Sequence, residues 1–543
     1  MNPFNRLQLV RVMGFFVACT FYSDIVTALA DPIFVTQWDT RNTGAGTSCG
    51  ACITIPVHPG SSYNYDVDWD NNGTFDDLNV SGSIMHDYGV PGIKTVTIRG
   101  AYPRIYFKDH PDRIKLTGVI RWGETPWTSV EEAFDGCINL TGGSMDEPDL
   151  SKVKSTRAMF RDCEEYNDDL DDWDVSLITD MSEMFRGAES FNGFIKSWDV
   201  TSVVDMSRMF LDAKEFNTNI APWQTIQVKD MSAMFSGADD FNQPLTWIVG
   251  SAQYMDSMFH SADSFNQSID SWNVSAVTDM SHMFHRASSF DQDLNSWDVS
   301  NVVDMSWMFE FATSFNGEIG DWLDEPSKVN NMSRMFRGAS SFRGFAIGDW
   351  DVGSVTNMSR MFENATTFLG ALWFWDVSSV TDMSFMFRAS GYSRSINSWS
   401  FNSIEDMTGM LDGTSLSFLA YENLLESLAS QNLPDELNFG AAELQYCETI
   451  SRDFLSNVKN WTITGDSPLS DNTRAIYNLE GNGWNNSINW NGGVPTVCHG
   501  VIIESDILTI LFPFSEAGVG RTLEVKLGAV LDVRLGSQLI IGQ

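Results

Sequence analysis

Basic residues are scarce in this chain. Its 33 lysines and arginines face 72 aspartates and glutamates, which leaves a formal charge of -39 and a pI near 4.3. Such a charge repels phosphate backbones and anionic lipid head groups, so nucleic acid and peripheral membrane binding are excluded as expectations, and cations or basic partners are favoured. Beyond the N-terminus no stretch holds the roughly 18 uninterrupted apolar residues that a membrane helix needs. No glycine-rich phosphate loop, nucleophile elbow or His-Glu-x-x-His is found. The seven histidines offer one cluster, His260, His282 and His285, with Asp256 as a further neighbour. Zinc needs a fuller donor set than these provide. Acidic pairs are so common here that they carry no glycosidase signal. No enzyme is expected.

Cysteine is sparse too. Of seven, Cys19 lies in an N-terminal segment that reads as a secretory signal, with Arg6 and Arg11, an apolar run from Val12 to Tyr22, and Ala28-Leu29-Ala30 as the cleavage site. A lipoprotein box at Phe16-Val17-Ala18-Cys19 is the variant reading. Export makes the remaining six candidates for disulfides. Cys49 and Cys52 read as a small loop disulfide in preference to a metal half-site. Cys137 and Cys163 occupy one column of adjacent repeats, within disulfide range or as two buried thiols.

What the chain has in abundance is repetition. Ten Met-Phe pairs begin at Met159, Met184, Met209, Met234, Met258, Met283, Met308, Met335, Met361 and Met386, at intervals of 24 to 27 residues. Degenerate copies at Ala133-Phe134 and Met410-Leu411 bring the expectation to about twelve coils. A unit of this length cannot bury its apolar face alone, so consecutive units must stack. In the unit from Ser202 to Val228, Met206, Met209, Phe210 and Ala213 fall at the spacing of one face of a short helix. Asp205 stands before it as an N-cap, as do Asp180, Asp230, Asp279 and Asp304 in other units. The stretch from Phe216 through Ile220 to Trp223 reads as a short strand. Its Trp, Phe and Met columns read as core ladders. Asn192, Asn217, Asn242, Asn266 and Asn316 read as an amide ladder that satisfies backbone groups at a turn.

Trp297-Asp298-Val299-Ser300-Asn301-Val302-Val303-Asp304-Met305-Ser306-Trp307-Met308-Phe309 resembles the repeat of BspA-type leucine-rich-repeat bacterial surface proteins. Ala133-Phe134-Asp135-Gly136-Cys137 resembles an older form of that repeat. Leu424-Leu425, Gln445-Tyr446-Cys447 and Trp461-Thr462-Ile463-Thr464 are similar to the family's usual ending. The resemblance covers roughly residues 108 to 465. It implies surface display with adhesion or ligand binding, and carries no catalytic residues.

The fold class that follows is an α/β repeat solenoid, leucine-rich-repeat-like, with one short strand and one short helix per coil, flanked by an N-terminal β-sandwich and a C-terminal β-rich region. The expected organisation is a signal peptide at 1-30, a sandwich at 31-105, the solenoid at 106-416, its cap at 417-469 and a β-rich meander or β-solenoid at 470-543. The sandwich resembles a PKD domain through Tyr65-Asp66-Val67-Asp68-Trp69-Asp70 and the segment from His86 to Ile98. Within it Asp68, Asp70, Asn72 and Asp76 fall at Ca²⁺-loop positions, although Asn79 stands where a bidentate Glu is usual and only Asp77 is near enough to substitute. The alternative is a hairpin turn with solvated acids. No other cofactor is implied. Trp484 and Trp490 read as packing or as a sugar platform.

Outward residues that vary between coils, Thr218, Asn219, Gln267, Ser268, Gln292 and Asp293, are the candidate ligand contacts. The expected function is secreted or cell-surface recognition of an extracellular protein or glycan. A structural spacer is the alternative, and an extracellular enzyme a more remote one.

Overall fold

The computed structural model describes residues 33–468, save 324–326 and 447–448, together with short strands between 475 and 532. The expected signal segment at 1-30, Trp484, Trp490 and most of 470-543 lie outside the described residues. The chain divides into two compact units, Met1–Val299 and Ser300–Gln543.

The first unit opens with β1 (Ile33–Asp39), β2 (Cys52–Ile55), β3 (Asn64–Asp68), β4 (Asp77–Val80), β5 (Ile84–Asp87), β6 (Ile93–Ala101) and β7 (Leu116–Arg121). Five of these form an antiparallel sheet in the order β4-β3-β6-β1-β7, and β2 pairs with β5. Alternation decides the core. Tyr65 and Val67 of β3 and Val96 and Ile98 of β6 are buried with Trp38 and Trp69. Because β7 pairs with β1, the sheet runs past residue 105 into the first coil.

The coils correct the expected fold class. No helix spans Met206 to Ala213. Arg208 (φ 56°) and Asp212 (φ 58°) take the left-handed conformation, which ends any helical run. Amides of alternate residues leave the coil altogether: Met206, Arg208, Phe210 and Asp212 donate to the carbonyls of Asp230, Ser232, Met234 and Ser236 in the next coil, at 2.7 to 2.9 Å. Within the coil four-residue turns close, with Met209 bonding back to Met206 and Ala213 to Phe210. A turn with positive φ only at its third residue is the type II class. Consecutive four-residue turns bury their end residues, Met206, Met209, Phe210 and Ala213, on one side much as a helix would, which is why the sequence pattern reads as helical.

The expected strand is absent as well. Phe216, Ile220 and Trp223 are buried, but no ladder forms there. Regular pairing between coils reduces to single parallel bridges in the aspartate column, such as Asp180↔Asp205↔Asp230. Side chains supply the rest. Trp198, Trp223, Trp247 and Trp272 each donate an indole N–H to a carbonyl of the preceding coil, at 2.7 to 3.1 Å. Their rings stack in near-parallel planes, with centroids 6.1 Å apart for Trp198 and Trp223, and the Phe185, Phe210, Phe235 and Phe259 rings stack 5.7 Å apart. The Trp, Phe and Met columns are core.

The second unit repeats this plan from Asp304 to Asp406, with bridges Asp304↔Asn331↔Asn357↔Asp382↔Asp406. The coil that ends at Met407 meets Phe439. There helix α1 (Phe418–Ser430), capped by the Ser417 hydroxyl, buries Tyr421, Leu424, Leu425 and Leu428. A short helix α2 (Thr449–Asp453) and a parallel pair, Asn438–Gly440 with Thr462–Thr464, complete the segment. Farther on, Gly500–Ile503 pairs in parallel with Ala475–Tyr477 and Thr522–Val525. A meander requires antiparallel neighbours, so these strands are not one. Among the described residues no helix is long and apolar enough to cross a membrane.

Candidate recognition surfaces and metal loop

Each coil of the first unit carries three residues between its core Phe and its core Ile or Leu. The first is an Asn, or Asp291 in the last of them, and each Asn Oδ1 accepts the amide of its counterpart in the next coil: Asn217 to Asn192 at 2.9 Å, Asn242 to Asn217, Asn266 to Asn242 and Asp291 to Asn266 at 3.0 Å. The second locks the same joint from the side. Thr218 is buried and bonds Asn192 O, Asn192 Oδ1 and Gly193 O, while Gln267 and Gln292 donate to Asn242 Oδ1 and Asn266 Oδ1 at 2.9 and 2.8 Å. The third residue points outward in every coil. Asn219, Ser268 and Asp293 are exposed there, in line with Phe194 and Pro244. Of the six candidate contacts, three are therefore parts of the stack. Their recurrence as Thr or Gln beside the Asn was the sequence signal for that role.

Departures from the repeat create surfaces that the pattern did not reveal. After the core Trp the regular coil has an Asp or Asn whose Oδ1 accepts the amide two residues on, as Asp174, Asp199 and Asn273 do. Gln224 and Ile248 replace it in two adjacent coils, and Thr225 turns inward to bond Ile248 O at 3.0 Å. The result is a groove of about 240 Å³ lined by Ala221, Pro222, Gln224, Ile226, Thr246 and Ile248, with Ile226 and Ile248 more than half exposed. In the second unit Trp373 and Phe374 stand where other coils carry Asn295-Ser296 or Asn397-Ser398. They are 46% and 74% exposed, against the near-total burial of every Trp and Phe in the core columns. Their rings meet edge to face at 6.2 Å, and Arg394, held by Leu369 O at 2.7 Å, lies 5.8 Å from the indole.

Between β3 and β4 the carboxylates of Asp68, Asp70 and Asp76 converge within 4.8 Å of one another. Asp68 is buried and accepts the amides of Asn72 (3.2 Å) and Gly73 (2.7 Å), Asp76 accepts that of Trp69, and Asn72 Oδ1 takes the amide of Thr74. Asp77 does not join them, because its carboxylate takes the Trp69 indole at 2.8 Å. The loop thus presents three convergent acids without a fourth carboxylate.

Cys49 and Cys52 are joined in a disulfide. Of the two readings of Cys137 and Cys163, the structure has the second. Both are separate buried thiols, and Cys163 Sγ lies 3.1 Å from Phe134 O. The rings of His260 and His285 approach to 4.7 Å, and Ser236 Oγ lies 3.1 Å from His260 Nδ1. Burial, then the charges of His282 and Arg286, lower the basicity of His260. Among the described residues these histidines form no three-ligand set.

No curated protein and no solved structure matches the chain. One family model matches it three times in tandem, over residues 128–247, 245–326 and 323–419, together more than half of its length. The chain therefore belongs to the repeat family described as "Mycoplasma protein of unknown function, DUF285".

Proposed function

We propose that this protein is a secreted or cell-surface recognition protein of the BspA-related kind, with a PKD-like N-terminal sheet and no catalytic role. It binds an extracellular protein or glycan noncovalently on the outward residues of its coils. One observation carries the reading: the core columns are nearly uniform from coil to coil, whereas outward residues vary, and two paired departures expose apolar surface at Ile226 and Ile248 and at Trp373 and Phe374. Exposed aromatic and aliphatic anchors on a polar surface are where binding energy concentrates. The net charge of -39 favours basic or cation-bridged partners and an attraction that weakens with salt.

The test is saturable binding of the full chain to a panel of glycans and matrix proteins. The paired changes Ile226→Ser/Ile248→Ser or Trp373→Ala/Phe374→Ala should weaken it by about tenfold or more, the loss of one hot spot. A chain that saturates on nothing in the panel is a spacer. Binding that survives both pairs of changes places the site elsewhere.

A second reading rests on the convergent acids. Asp68, Asp70, Asn72 and Asp76 hold Ca²⁺ weakly, completing its shell with water in place of the missing bidentate carboxylate. Calorimetric titration should show binding in the millimolar range that Asp70→Asn, a change at an exposed acid, abolishes. No heat at millimolar Ca²⁺ returns the loop to an ordinary turn.

A further inference from the structure

We propose that Cys49 and Cys52 form a thiol–disulfide exchange centre that acts on cysteine-bearing peptides or small dithiols. The two sulfurs are unequal. Cys49 is exposed and Cys52, the first residue of β2, is 3% exposed, so an incoming thiolate has access only to Cys49, and Cys52 is the leaving group.

The loop does not depend on the S–S bond for its shape. Lys115, wholly buried, donates from Nζ to Ser48 Oγ (2.8 Å), Ser48 O (3.1 Å), Cys49 O (3.0 Å) and Cys52 O (3.0 Å), and pairs with Asp112 at 3.2 Å. Asp112, also buried, accepts from Ser48 N, Ser48 Oγ and Thr54 N at 2.6 to 2.8 Å. Cys52 N bonds Cys49 O at 2.9 Å. Residues on both sides of the pair are therefore fixed by a buried ion pair and by the pairing of β2 with β5.

A bond that closes so short a loop restrains the unfolded chain little, which makes it a poor staple. A framework that keeps two thiols facing each other after the bond opens is what a reversible couple needs. The Lys115 ammonium, bonded to both cysteine carbonyls, favours the departing Cys52 thiolate. The Asp87 carboxylate, within 4.8 Å of both sulfurs, opposes it.

The exchange balances as follows. One thiolate of a dithiol substrate attacks Cys49 Sγ, forming a substrate–Cys49 disulfide as the Cys49–Cys52 bond breaks and Cys52 leaves with the electron pair. The substrate's second thiolate then attacks its own bonded sulfur and releases Cys49 as thiolate. The substrate is oxidised by two electrons, the protein pair is reduced, and an external disulfide such as oxidised glutathione restores it by the reverse steps.

The full chain should be incubated, folded, with reduced glutathione and separately with a dithiol peptide plus oxidised glutathione, and its cysteine peptides mapped by mass. The near-ultraviolet signal of the buried tryptophans reports whether the sheet stays folded. Expected are reversible reduction with that signal unchanged, a glutathione adduct trapped on Cys49 in Cys52→Ser and none on Cys52 in Cys49→Ser, and faster peptide oxidation that both variants lose. Asp87→Asn should speed the reaction. A bond that resists reduction until the chain is denatured, a sheet that melts when the bond opens, or equal trapping on both cysteines would overturn the proposal. Measurements on the wild-type chain alone decide the first two points, so the test stands even if a variant misfolds.

Discussion

Asp205 shows what one residue of the repeat does. Its Oδ1 accepts the Ser207 amide at 2.8 Å, two residues on, and so fixes the entry to the turn ribbon without capping a helix. The cost is a column of like charges. Burial pushes the Asp205 carboxyl up, the Ser207 bonds pull it down, and the neighbouring Asp230 and Asp180 raise it again, with a net upward shift. Asp256 is raised in the same way by burial and then by Asp279 and Asp230. A carboxyl whose folded pKa lies above its unfolded value holds its proton more tightly when folded, so its contribution to stability is greatest below the unfolded pKa and is lost as pH rises through the folded one. In the second unit Asn331 and Asn357 occupy this column and make the same i+2 bond without charge. Asp205→Asn should therefore raise the melting temperature at neutral pH, and the gain should vanish below about pH 4. Asp205→Ala, which loses the turn bond, should cost about 1 kcal/mol below about pH 4 and less at neutral pH, where it also removes the charge. Thermal melts of both variants across that range check the pair. Gly237 makes a second point. At φ 69° it sits against the Asp212 carboxylate of the preceding coil, where a Cβ would overlap it. Gly237→Ala should cost more than the roughly 1 kcal/mol of left-handed strain alone, measured by denaturant unfolding.

At the scale of the coil, stability comes from columns that satisfy packing and hydrogen bonding together. Trp272 is 2% exposed, stacks on Trp247 at 6.4 Å and bonds Leu245 O at 3.1 Å. Trp272→Ala should destabilise the first unit by about 3 to 5 kcal/mol, and an unmoved unfolding midpoint would refute the ladder. The polar seam behaves likewise on a smaller scale. Gln267→Ala removes its bonds to Asn242 O and Oδ1 and should cost about 0.5 to 1.5 kcal/mol, while Ser268→Ala, one residue farther out, should stay within about 0.5 kcal/mol. Equal effects of the two would mean that the seam is not a joint.

Within each unit the stacked coils supply a frame on which exposed residues can change without disturbing the core. That separation is the physical basis for reading its surface as a recognition surface. The outer positions are mostly polar, with single exposed apolar side chains such as Phe194 and Leu177. Where the repeat breaks, at Gln224 and Ile248 or at Trp373 and Phe374, apolar area reaches solvent. Binding to a partner at the acidic surface should fall between low and high salt, because exposed charges farther apart than about 8 to 10 Å are screened at physiological ionic strength. A salt-independent affinity would assign the interaction to the apolar groove or the aromatic pair instead.

The sequence alone determined the period, the buried columns, the amide ladder, the paired Cys49 and Cys52 and the acids of the β3–β4 loop, because each follows from residue type at fixed spacing. It did not determine how the backbone travels between those positions. Apolar residues at i, i+3, i+4 and i+7 suit a helix and a chain of four-residue turns equally well, and only the neighbouring coil, by accepting every second amide, decides for the turns. It likewise left open whether Thr218 and Gln267 face a partner or the next coil, and whether Cys137 and Cys163 bond or merely stack. These are contacts between residues some 25 positions apart, and their outcome depends on the angle and register at which successive coils meet, which exists only once the chain has folded.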